Sequence, residues 1–389
     1  MKNKKLSVAF IFNKPIRIPL NNREYYISIE LLRRNHNVIW FCEKHADNYS
    51  FSEKITQIFI RHKPQSKIKI FLYLFYLTYI LIENKIKYVW LSGWNDRRPL
   101  YLLLFCIILK IIGIKTIYDT IDPIYEFRCA FNTNISIFKK RKMRFLMSFI
   151  YKISTLNLTV TEELKDALIK KGAPSRKIHV AYWGVDTERF SPSKIKSDFR
   201  EKYNLQNKFV IGWLGHMDSF RCIEEIIIPL ITMLPSLIRE VFFLIGGKGE
   251  LEDSLLSLQK KYHLPLLMLG SINYDLAPAF TASIDLYIVP INTTSELGRS
   301  IRPVKMFDAL AMGIPVVVSA SPCTLKLSHT FKSIQYANHN LNGFLNAILN
   351  VYKEYREIKK LAMIEIDKVV KYSHQRVSEG IADLLERKI

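Results

Sequence analysis

The sequence predicts an α/β protein with two doubly wound, Rossmann-like halves, each built on a parallel sheet with helices on both faces. Short apolar runs that suit buried strands alternate with longer runs of helical periodicity, a pattern typical of parallel sheets. This alternation stops at a polar, turn-rich stretch, residues 182–193, and then begins again. The chain has 389 residues, whereas single cores stop growing at about 250–300 residues, so two domains are expected.

The first half contains six predicted strands with helices between them. The strands are expected at residues 6–12, 37–41, 88–91, 116–119, 156–160 and 178–181, and helices at residues 24–34, 68–82 and 100–111. Thr161 is a suitable cap for the helix that follows the fifth strand, and Gly172 is a suitable stop. We assign residues 1–190 to this domain.

The second half repeats the pattern with five predicted strands. These are residues 209–213, 241–245, 265–269, 285–289 and 315–319, and helices are expected at residues 223–234, 251–262 and 303–312. From about residue 340 the pattern is helical to the end. We assign residues 191–389 to this domain, including its C-terminal helices. Ligands in such sheets bind beyond the carboxyl ends of the strands, so a site is expected in the segments that follow them.

The composition excludes several classes of protein. With 49% hydrophobic residues, the chain is not intrinsically disordered. Its five cysteines are scattered, form no CxxC pair and have no histidine at zinc-like spacing, which indicates reduced thiols rather than a disulfide or metal framework. The basic and then apolar start resembles a signal peptide, but the short apolar run at residues 6–12 favours a first buried strand.

The net charge of +22 favours an anionic partner. Apolar stretches at residues 68–82 and 100–112 are shorter than the about 20 residues that a membrane span needs. Residues 139–144 form a dense basic run, which Phe138, Phe145 and Phe149 flank. This run is either a solvated helix face or a peripheral contact with an anionic membrane, and both interpretations stay open.

Residues 295–319 are the most informative segment. Pro303 suits the first position of a helix and Gly313 its C-terminal stop, so a helix is expected between them. The N-terminus of a helix presents unpaired N–H groups and partial positive charge, which favour an anion. The residues expected at this end are Ser300, Ile301, Arg302, Lys305 and, one turn further on, Asp308. The segment predicts either a nucleoside diphosphate site or an ordinary capped crossover helix with exposed basic residues.

Two more loops follow predicted strands of the same half. In residues 212–221, Gly215 permits a ligand to approach the backbone closely, and Arg221 is within reach of a diphosphate. In residues 246–250, Lys248 stands among three glycines, and alone this loop predicts no more than a flexible turn. Because the carboxyl ends of parallel strands meet at one edge of a sheet, we expect the three segments to lie together.

The order of these pieces resembles the retaining glycosyltransferases of the GT-B fold, the group 1 type, which transfer sugars from nucleotide sugars to glycan or lipid acceptors. The resemblance covers about residues 161–319. It is carried by Thr161-Glu162, Gly184-Val185-Asp186, Gly212-Trp213-Leu214-Gly215, Gly246-Gly247, Gly249, Gly270, Arg302-Pro303-Val304-Lys305 and residues 311–317. It implies two Rossmann-like domains that face each other across a cleft, without a metal or another cofactor.

The resemblance also implies roles for single residues. Arg221 and Lys305 match the basic pair that holds the donor diphosphate, and Asp308 matches the acid that binds ribose. Ser300 stands where the family usually has a Glu that faces the transferred sugar, and Ile272 lies in a loop that touches the nucleobase. Gly215, Lys248, Ile301 and Arg302 complete the predicted donor site.

The acceptor side is predicted from the first half. Residues 118–122 resemble a strand-end segment of the family, with Ile121 where a histidine commonly precedes the last Asp. Asp122 is the predicted catalytic group, and a strand-end Asp that caps a loop is the alternative. We expect the acceptor hydroxyl near residues 94–96 and 119–122.

These observations predict a glycosyltransferase of cell-surface polysaccharide synthesis, in the cytoplasm or at the inner face of the membrane. Its expected partners are a nucleotide sugar, a glycan or lipid-linked acceptor, and an anionic membrane surface. Three alternatives stay open: a non-catalytic GT-B-like binding or scaffold protein at the membrane, a nucleic-acid-binding protein, and a same-fold sugar-nucleotide epimerase. Only the charge argues for nucleic acid, and no recognisable binding module accompanies it, so no nucleic acid is expected.

Overall fold

The computed structural model describes residues 5–12, 23–43, 55–61, 64, 66–92, 99–121, 123, 125, 135–195 and 198–388. The chain divides into two compact units. The first contains Met1–Trp183 and Gln375–Ile389, and the second contains Gly184–His374.

The first unit has a seven-stranded parallel sheet with the strand order β3-β2-β1-β4-β5-β6-β7. Its strands are β1 (Ser7–Ile11), β2 (Asn37–Glu43), β3 (Thr56–Ile60), β4 (Tyr88–Ser92), β5 (Lys115–Thr120), β6 (Leu156–Thr159) and β7 (Ile178–Val180). The order reverses between β1 and β4, which is the defining feature of a doubly wound sheet. The fold class predicted for this half is confirmed.

Helices cover both faces of this sheet. They are α1 (Arg23–Arg33), α2 (Lys67–Glu83), α3 (Pro99–Ile111), α4 (Ile137–Ile153) and α5 (Glu162–Lys170). Val8 and Phe10 of β1 lie in the core beneath α1, whereas Ala9 and Ile11 lie in the core beneath α2, α3, α4 and α5. Successive strand residues point to opposite faces, so a continuous apolar strand supports two cores.

The predicted ends of α5 are confirmed. The hydroxyl of Thr161 accepts a hydrogen bond from the backbone N–H of Leu164 at 3.0 Å, which caps the first turn. Gly172 follows the last turn with φ of 96°, a conformation that side chains rarely adopt.

The second unit has a six-stranded parallel sheet with the strand order β10-β9-β8-β11-β12-β13. Its strands are β8 (Phe209–Met217), β9 (Val241–Gly249), β10 (Leu266–Met268), β11 (Leu286–Val289), β12 (Val316–Ser319) and β13 (Ile334–Ala337). Its helices are α6 (Phe199–Lys202), α7 (Ile228–Met233), α8 (Glu252–Tyr262), α9 (Ala277–Ala282), α10 (Glu296–Ser300), α11 (Val304–Ala311), α12 (Pro322–Leu325), α13 (Leu341–Lys353), α14 (Tyr355–Ile364) and α15 (Ile366–Val369). This half is also doubly wound, as predicted.

Two strands were not predicted from the sequence, β3 and β13. Each lies at an edge of its sheet and pairs with one neighbour. The strand β3 contains Thr56 and Gln57, and only Ile60 at its end is fully buried. An edge strand that is half exposed lacks the continuous apolar run that marks the central strands.

The domain boundary differs from the predicted position between residues 190 and 191. The units divide between Trp183 and Gly184, and most of the last helix, α16 (His374–Lys388), belongs to the first unit. Its buried residues Ile381, Ala382 and Leu385 share a core with α1. On the face of the first sheet that α1 covers, the helical residues that the structure describes in the core come from α1 and α16, so the apolar stripe of α16 completes this core.

Among the described residues, none of the helices combines the length and the apolar character that crossing a bilayer would require.

Candidate functional site

Two long, fully paired strands form the floor of the site. In register, Gly215 of β8 lies opposite Gly247 of β9, and His216 lies opposite Lys248. The sequence predicted that Gly215 and Lys248 lie in loops, and this is wrong, because the strands continue to Met217 and Gly249. Glycine explains the extension. Gly247 has φ of 130°, and a Cβ there would lie 1.8 Å from the carbonyl oxygen of Gly215.

A tight turn after β8 orients Arg221. Asp218 caps this turn, since its Oδ1 accepts the backbone N–H of Arg221 at 3.0 Å, and its other oxygen pairs with the Arg221 guanidinium. The Arg221 side chain remains 36% exposed. A guanidinium has five N–H donors, so Arg221 keeps donors for a ligand while Asp218 holds it.

This turn is joined to the segment after β11. The carbonyl oxygen of Phe220 accepts the N–H of Asn292 at 2.8 Å. From Asn292 the chain enters α10, which Ser295 caps by accepting the N–H of Gly298 at 3.0 Å. The turn of Arg221 and the approach to Ser300 are therefore neighbours at the carboxyl edge of the second sheet.

The helix predicted to begin at Pro303 is α11, in which Pro303 is the cap and Val304 the first helical residue. Its predicted stop is confirmed, since Gly313 has φ of 62° and donates its N–H to Leu310. The first N–H groups of a helix lack partners within it, and here those of residues 304–306 occupy that position. At the opposite end of α11 the segment returns directly into β12.

Ser300, Ile301 and Arg302 were predicted at the N-terminus of this helix, in the loop that leads into it, and the structure places Ile301 and Arg302 there but not Ser300. Ser300 ends α10 and is 4% exposed, and the N–H of Ile301 donates to Leu297 at 3.0 Å. The guanidinium of Arg302 lies over the ring of Phe307, 4.8 Å from its centroid, and also contacts Tyr372. The short helix α10 therefore includes Ser300, which the sequence placed in the loop before α11.

Lys305 and Asp308 form an ion pair on α11. Lys305 Nζ lies 3.3 Å from Asp308 Oδ2, and Lys305 is one third exposed while Asp308 is buried. Burial raises the pKa of Asp308, Lys305 lowers it, and the nearby Asp186 raises it further. The lysine therefore neutralises a buried carboxylate and still reaches the surface.

Two tyrosines share the surroundings of Asp308. Burial and, next, the charge of Asp308 raise the pKa values of Tyr274 and Tyr287. The hydroxyl of Tyr287 donates to the carbonyl oxygen of Leu214 in β8 at 3.3 Å. Tyr287 lies on β11, so it connects the surroundings of Asp308 on α11 with the backbone of β8.

Ile272 completes the set from the loop after β10. A Cβ placed on Gly246 would lie 2.4 Å from Ile272 Cδ1, so Ile272 packs directly over that glycine of β9. The N–H of Gly247 donates to the carbonyl oxygen of Gly270 at 2.6 Å. The nine donor-side residues predicted from the sequence therefore lie on elements that meet at one edge of one sheet.

Sequence reasoning did not find the residues that support this edge. Asp186 accepts the backbone N–H of Arg189 at 3.0 Å, and Arg189 stacks on Tyr274 with 4.9 Å to the ring centroid. The segment Gly184-Val185-Asp186, which carried part of the resemblance, was the available signal. For Asp218, the available signal in the sequence was its position three residues before Arg221.

In the first unit, Asp119 lies at the end of β5 and is paired with Arg23, the first residue of α1. Arg23 Nε lies 3.5 Å from Asp119 Oδ2, and both side chains are fully buried. Arg23 also donates through Nη1 to the carbonyl oxygen of Ala181 at 2.8 Å. Burial raises the pKa of Asp119 to about 6, although Arg23 lowers it.

The predicted catalytic Asp122 and residues 94–96 lie outside the described residues.

Within the parts of the chain that the structure describes, no cluster of three or more His, Cys, Asp or Glu side chains could hold a metal ion.

Comparisons with known proteins agree with this architecture. Residues 22–189 match the family described as Glycosyltransferase Family 4, and residues 208–354 match Glycosyl transferases group 1. A curated relative from Escherichia coli, UDP-Gal:alpha-D-GlcNAc-diphosphoundecaprenol alpha-1,3-galactosyltransferase, is 28% identical over 227 residues, which is 54% of each chain. The matched part of the chain therefore spans about half of the length of that relative.

Solved structures share the fold over nearly the whole chain. Anabaena Alr3699/HepE in complex with UDP has a TM-score of 0.73 at 16% identity, covering 98% of this chain and 100% of that one. Sucrose-phosphate synthase from Thermosynechococcus elongatus has a TM-score of 0.77 at 13% identity, covering 98% and 99%. With two doubly wound units and matches to both halves, the chain belongs to the group 1 glycosyltransferases of the GT-B fold.

Proposed function

We propose that this chain transfers a sugar from a uridine-diphosphate sugar to a glycan or lipid-linked acceptor. One observation carries the proposal: the N-terminus of α11, with Lys305 on it, opens at the same sheet edge as the turn that orients Arg221. A diphosphate there would meet a helix dipole and two cationic side chains. Uridine is favoured because the Escherichia coli relative is named for UDP-Gal and the Anabaena structure contains UDP.

Each donor-side residue has a role in this proposal. Lys305, Arg221 and the first N–H groups of α11 bind the diphosphate, and Asp308 positions Lys305 and meets the ribose. Ile272 packs on the base, above the glycine floor that includes Gly215. The side chains expected toward the transferred sugar or its phosphates are Lys248, Ser300, Ile301 and Arg302.

The same groups would promote the reaction. As the bond between the anomeric carbon and the donor phosphate oxygen breaks, negative charge develops on the departing nucleoside diphosphate. Fixed cations and helix N–H groups stabilise that charge, an effect that is usually the largest in catalysis. The acceptor oxygen forms the new bond with retention of configuration, and its proton passes to a base in the first unit, for which Asp122 is our candidate.

We further propose that the acceptor is a sugar linked to a polyisoprenyl diphosphate, in the synthesis of a cell-surface polysaccharide. The support is the name of the Escherichia coli relative, which acts on GlcNAc-diphosphoundecaprenol. An enzyme with such an acceptor works in the cytoplasm at the inner face of the membrane and contacts its anionic lipids.

The first experiment is a thermal-shift panel of UDP, GDP, ADP, CMP and their sugars, without added metal. The variants are wild type, Lys305→Ala and, as a matched control, Lys261→Ala on α8, where the lysine is exposed and away from the site. At about 100-fold excess over Kd, a ligand stabilises a protein by about 2.7 kcal/mol, which a melting curve resolves. We expect uridine nucleotides to stabilise wild type and the control but not Lys305→Ala. If no nucleotide stabilises wild type, the donor site is wrong.

A non-catalytic GT-B protein is the second candidate, and Ser300 favours it. This residue stands where the family usually has an acid, and it is almost fully buried. The two proposals differ in turnover. Release of UDP from a UDP-sugar with a lipid-linked acceptor supports the transferase, whereas nucleotide binding without UDP release supports the scaffold.

A further inference from the structure

Helix α2 exposes an apolar stripe along its full length. Ile68, Leu72, Phe75, Tyr79 and Ile82 follow one another at intervals of three or four residues, so they share one face, and each is between 56% and 76% exposed. The opposite face of α2 is buried against the first sheet. Helices that are apolar all round are normally buried on every side, so the outer face of α2 requires a cover.

Helix α4 presents aromatic and basic residues together. Phe138, Phe145 and Phe149 are exposed, and their spacing of seven and four residues sets them on one face. Arg141 and Lys142 are exposed one turn after Phe138, between the aromatic rings. The sequence left the basic run of α4 open between a solvated face and a membrane contact. The exposure of all three phenylalanines argues against a merely solvated face.

The two stripes lie on the same side of the first unit. Helices α2, α3 and α4 cover one face of the first sheet over a shared core, and α3 packs against both of its neighbours. The outer faces of α2 and α4 therefore both point away from the sheet. Together they form a broad surface, which we call the α2–α4 surface.

Charge selects the partner for this surface. In the sequences of α2, α3 and α4 the only acidic residue is Glu83, at the last position of α2. The basic residues are Lys67, Lys69, Lys110, Lys139, Lys140, Arg141, Lys142, Arg144 and Lys152. A second copy docked symmetrically would bring these like charges together, whereas an anionic bilayer offers both negative headgroups and an apolar interior.

We propose that the α2–α4 surface binds an anionic lipid bilayer, with the α2 stripe inserted below the headgroups and the basic residues of α4 paired with lipid phosphates. The inference rests on the proposed function, because a lipid-linked acceptor supplies the reason for this contact. Both α2 and α4 follow strands of the first sheet, β3 and β5, so each begins at the carboxyl edge, where ligands bind in such sheets. The bilayer contact is thus next to the edge at which an acceptor would enter.

The test is sedimentation of the full chain with vesicles of phosphatidylcholine alone and of phosphatidylcholine with phosphatidylglycerol, at low and high salt. Leu72→Gln/Phe75→Gln removes two exposed apolar residues and keeps good helix formers. Arg141→Gln/Lys142→Gln removes two charges, each worth about fivefold in partitioning near an anionic surface. We expect the charge variant to lose about 25-fold in binding at low salt. We expect the apolar variant to lose at least about tenfold at both salt concentrations.

Matched controls come from the second unit. Leu361→Gln/Ile364→Gln changes two exposed apolar residues of α14, and Lys260→Gln/Lys261→Gln changes an adjacent basic pair of α8. Both controls should bind vesicles as wild type does. The proposal is overturned if wild type fails to sediment with anionic vesicles at low salt, or if the α2–α4 variants bind as well as wild type. A dimer that Leu72→Gln/Phe75→Gln abolishes, without vesicle binding, would instead identify a self-interface.

The outcome is independent of the donor site. The same variants are measured in the nucleotide thermal-shift assay, where each should respond to UDP as wild type does. An α2–α4 variant that keeps nucleotide binding but loses vesicle binding supports the bilayer surface as a site separate from the donor site. Vesicle binding without any nucleotide response would leave the surface standing and contradict the proposed sugar transfer.

Discussion

Lys305 Nζ lies 3.3 Å from Asp308 Oδ2, three residues further along the same helix, so one cation serves a buried carboxylate and the surface at once. This arrangement separates two consequences of removing the lysine. The carboxylate would lose its partner, and the proposed diphosphate would lose a charge. Unfolding experiments measure the first effect, and nucleotide binding measures the second.

Lys305→Ala is expected to lower the free energy of unfolding by about 1–2 kcal/mol, because it leaves the carboxylate of Asp308 buried without its counter-charge. Lys305→Ala/Asp308→Asn should recover most of that stability in urea unfolding, since no buried charge then remains. Neither variant should respond to UDP. Recovery of the UDP response in the double variant would contradict a direct role for Lys305 in nucleotide binding.

Arg221→Gln is expected to weaken UDP binding by about 10–100-fold, because it removes charge-assisted hydrogen bonds to the diphosphate. Titration calorimetry measures the affinity directly. Arg299→Gln is the control, since Arg299 is exposed on the neighbouring α10 and donates to backbone oxygens of its own loop. Equal losses in the two variants would indicate a general effect of surface charge rather than a specific contact.

Gly247→Ala should destabilise the second unit by about 2–4 kcal/mol, because φ of 130° is strained for alanine and its Cβ would collide with the backbone of Gly215. Gly380→Ala in α16 is the opposite case, since a Cβ there meets nothing within 4 Å. That change should leave stability equal or raise it by up to about 1 kcal/mol. Thermal melts of the two variants against wild type decide the matter, and a neutral Gly247→Ala would contradict the close pairing of β8 and β9.

Asp119 is expected to make stability depend on pH. Its pKa is raised from 3.8 to about 6 in the folded chain, so the folded state holds the proton more tightly than the unfolded state. This contribution is fully present below about pH 4 and is lost as the pH rises through about 6. In Asp119→Asn, the change in unfolding free energy between these pH values should therefore differ from that of wild type by about 1–3 kcal/mol.

Urea unfolding at a series of pH values measures that difference. Asp166→Asn on α5 is the control, because its carboxylate is exposed. Its pH profile should run parallel to that of wild type. A profile of Asp119→Asn that also runs parallel to wild type would mean that Asp119 does not titrate in this window.

The sequence predicted that the proposed donor-side residues meet at one sheet edge, because they follow the apolar runs of neighbouring strands. Pro303 and Gly313 marked the two ends of α11 to within one residue. Ser300 was misplaced, because it belongs to the short helix α10, which begins at a cap by Ser295 that was not predicted from the sequence. Gly215 and Lys248 were misplaced because local signals for a glycine-rich turn cannot reveal that two such segments pair with each other.

The sequence by itself determined the two alternating halves, the central strands, the ends of α5, the ends of α11 to within one residue, and the sheet edge at which the predicted donor-side residues meet. These features depend on the side chains of near neighbours, through burial periodicity and helix capping. Only the tertiary structure decided that β8 and β9 run through their glycines, that α16 joins the first unit, and that Arg23 is buried against Asp119. Each of these depends on which distant or non-periodic groups meet when the cores close, and residue spacing along the chain does not encode that choice.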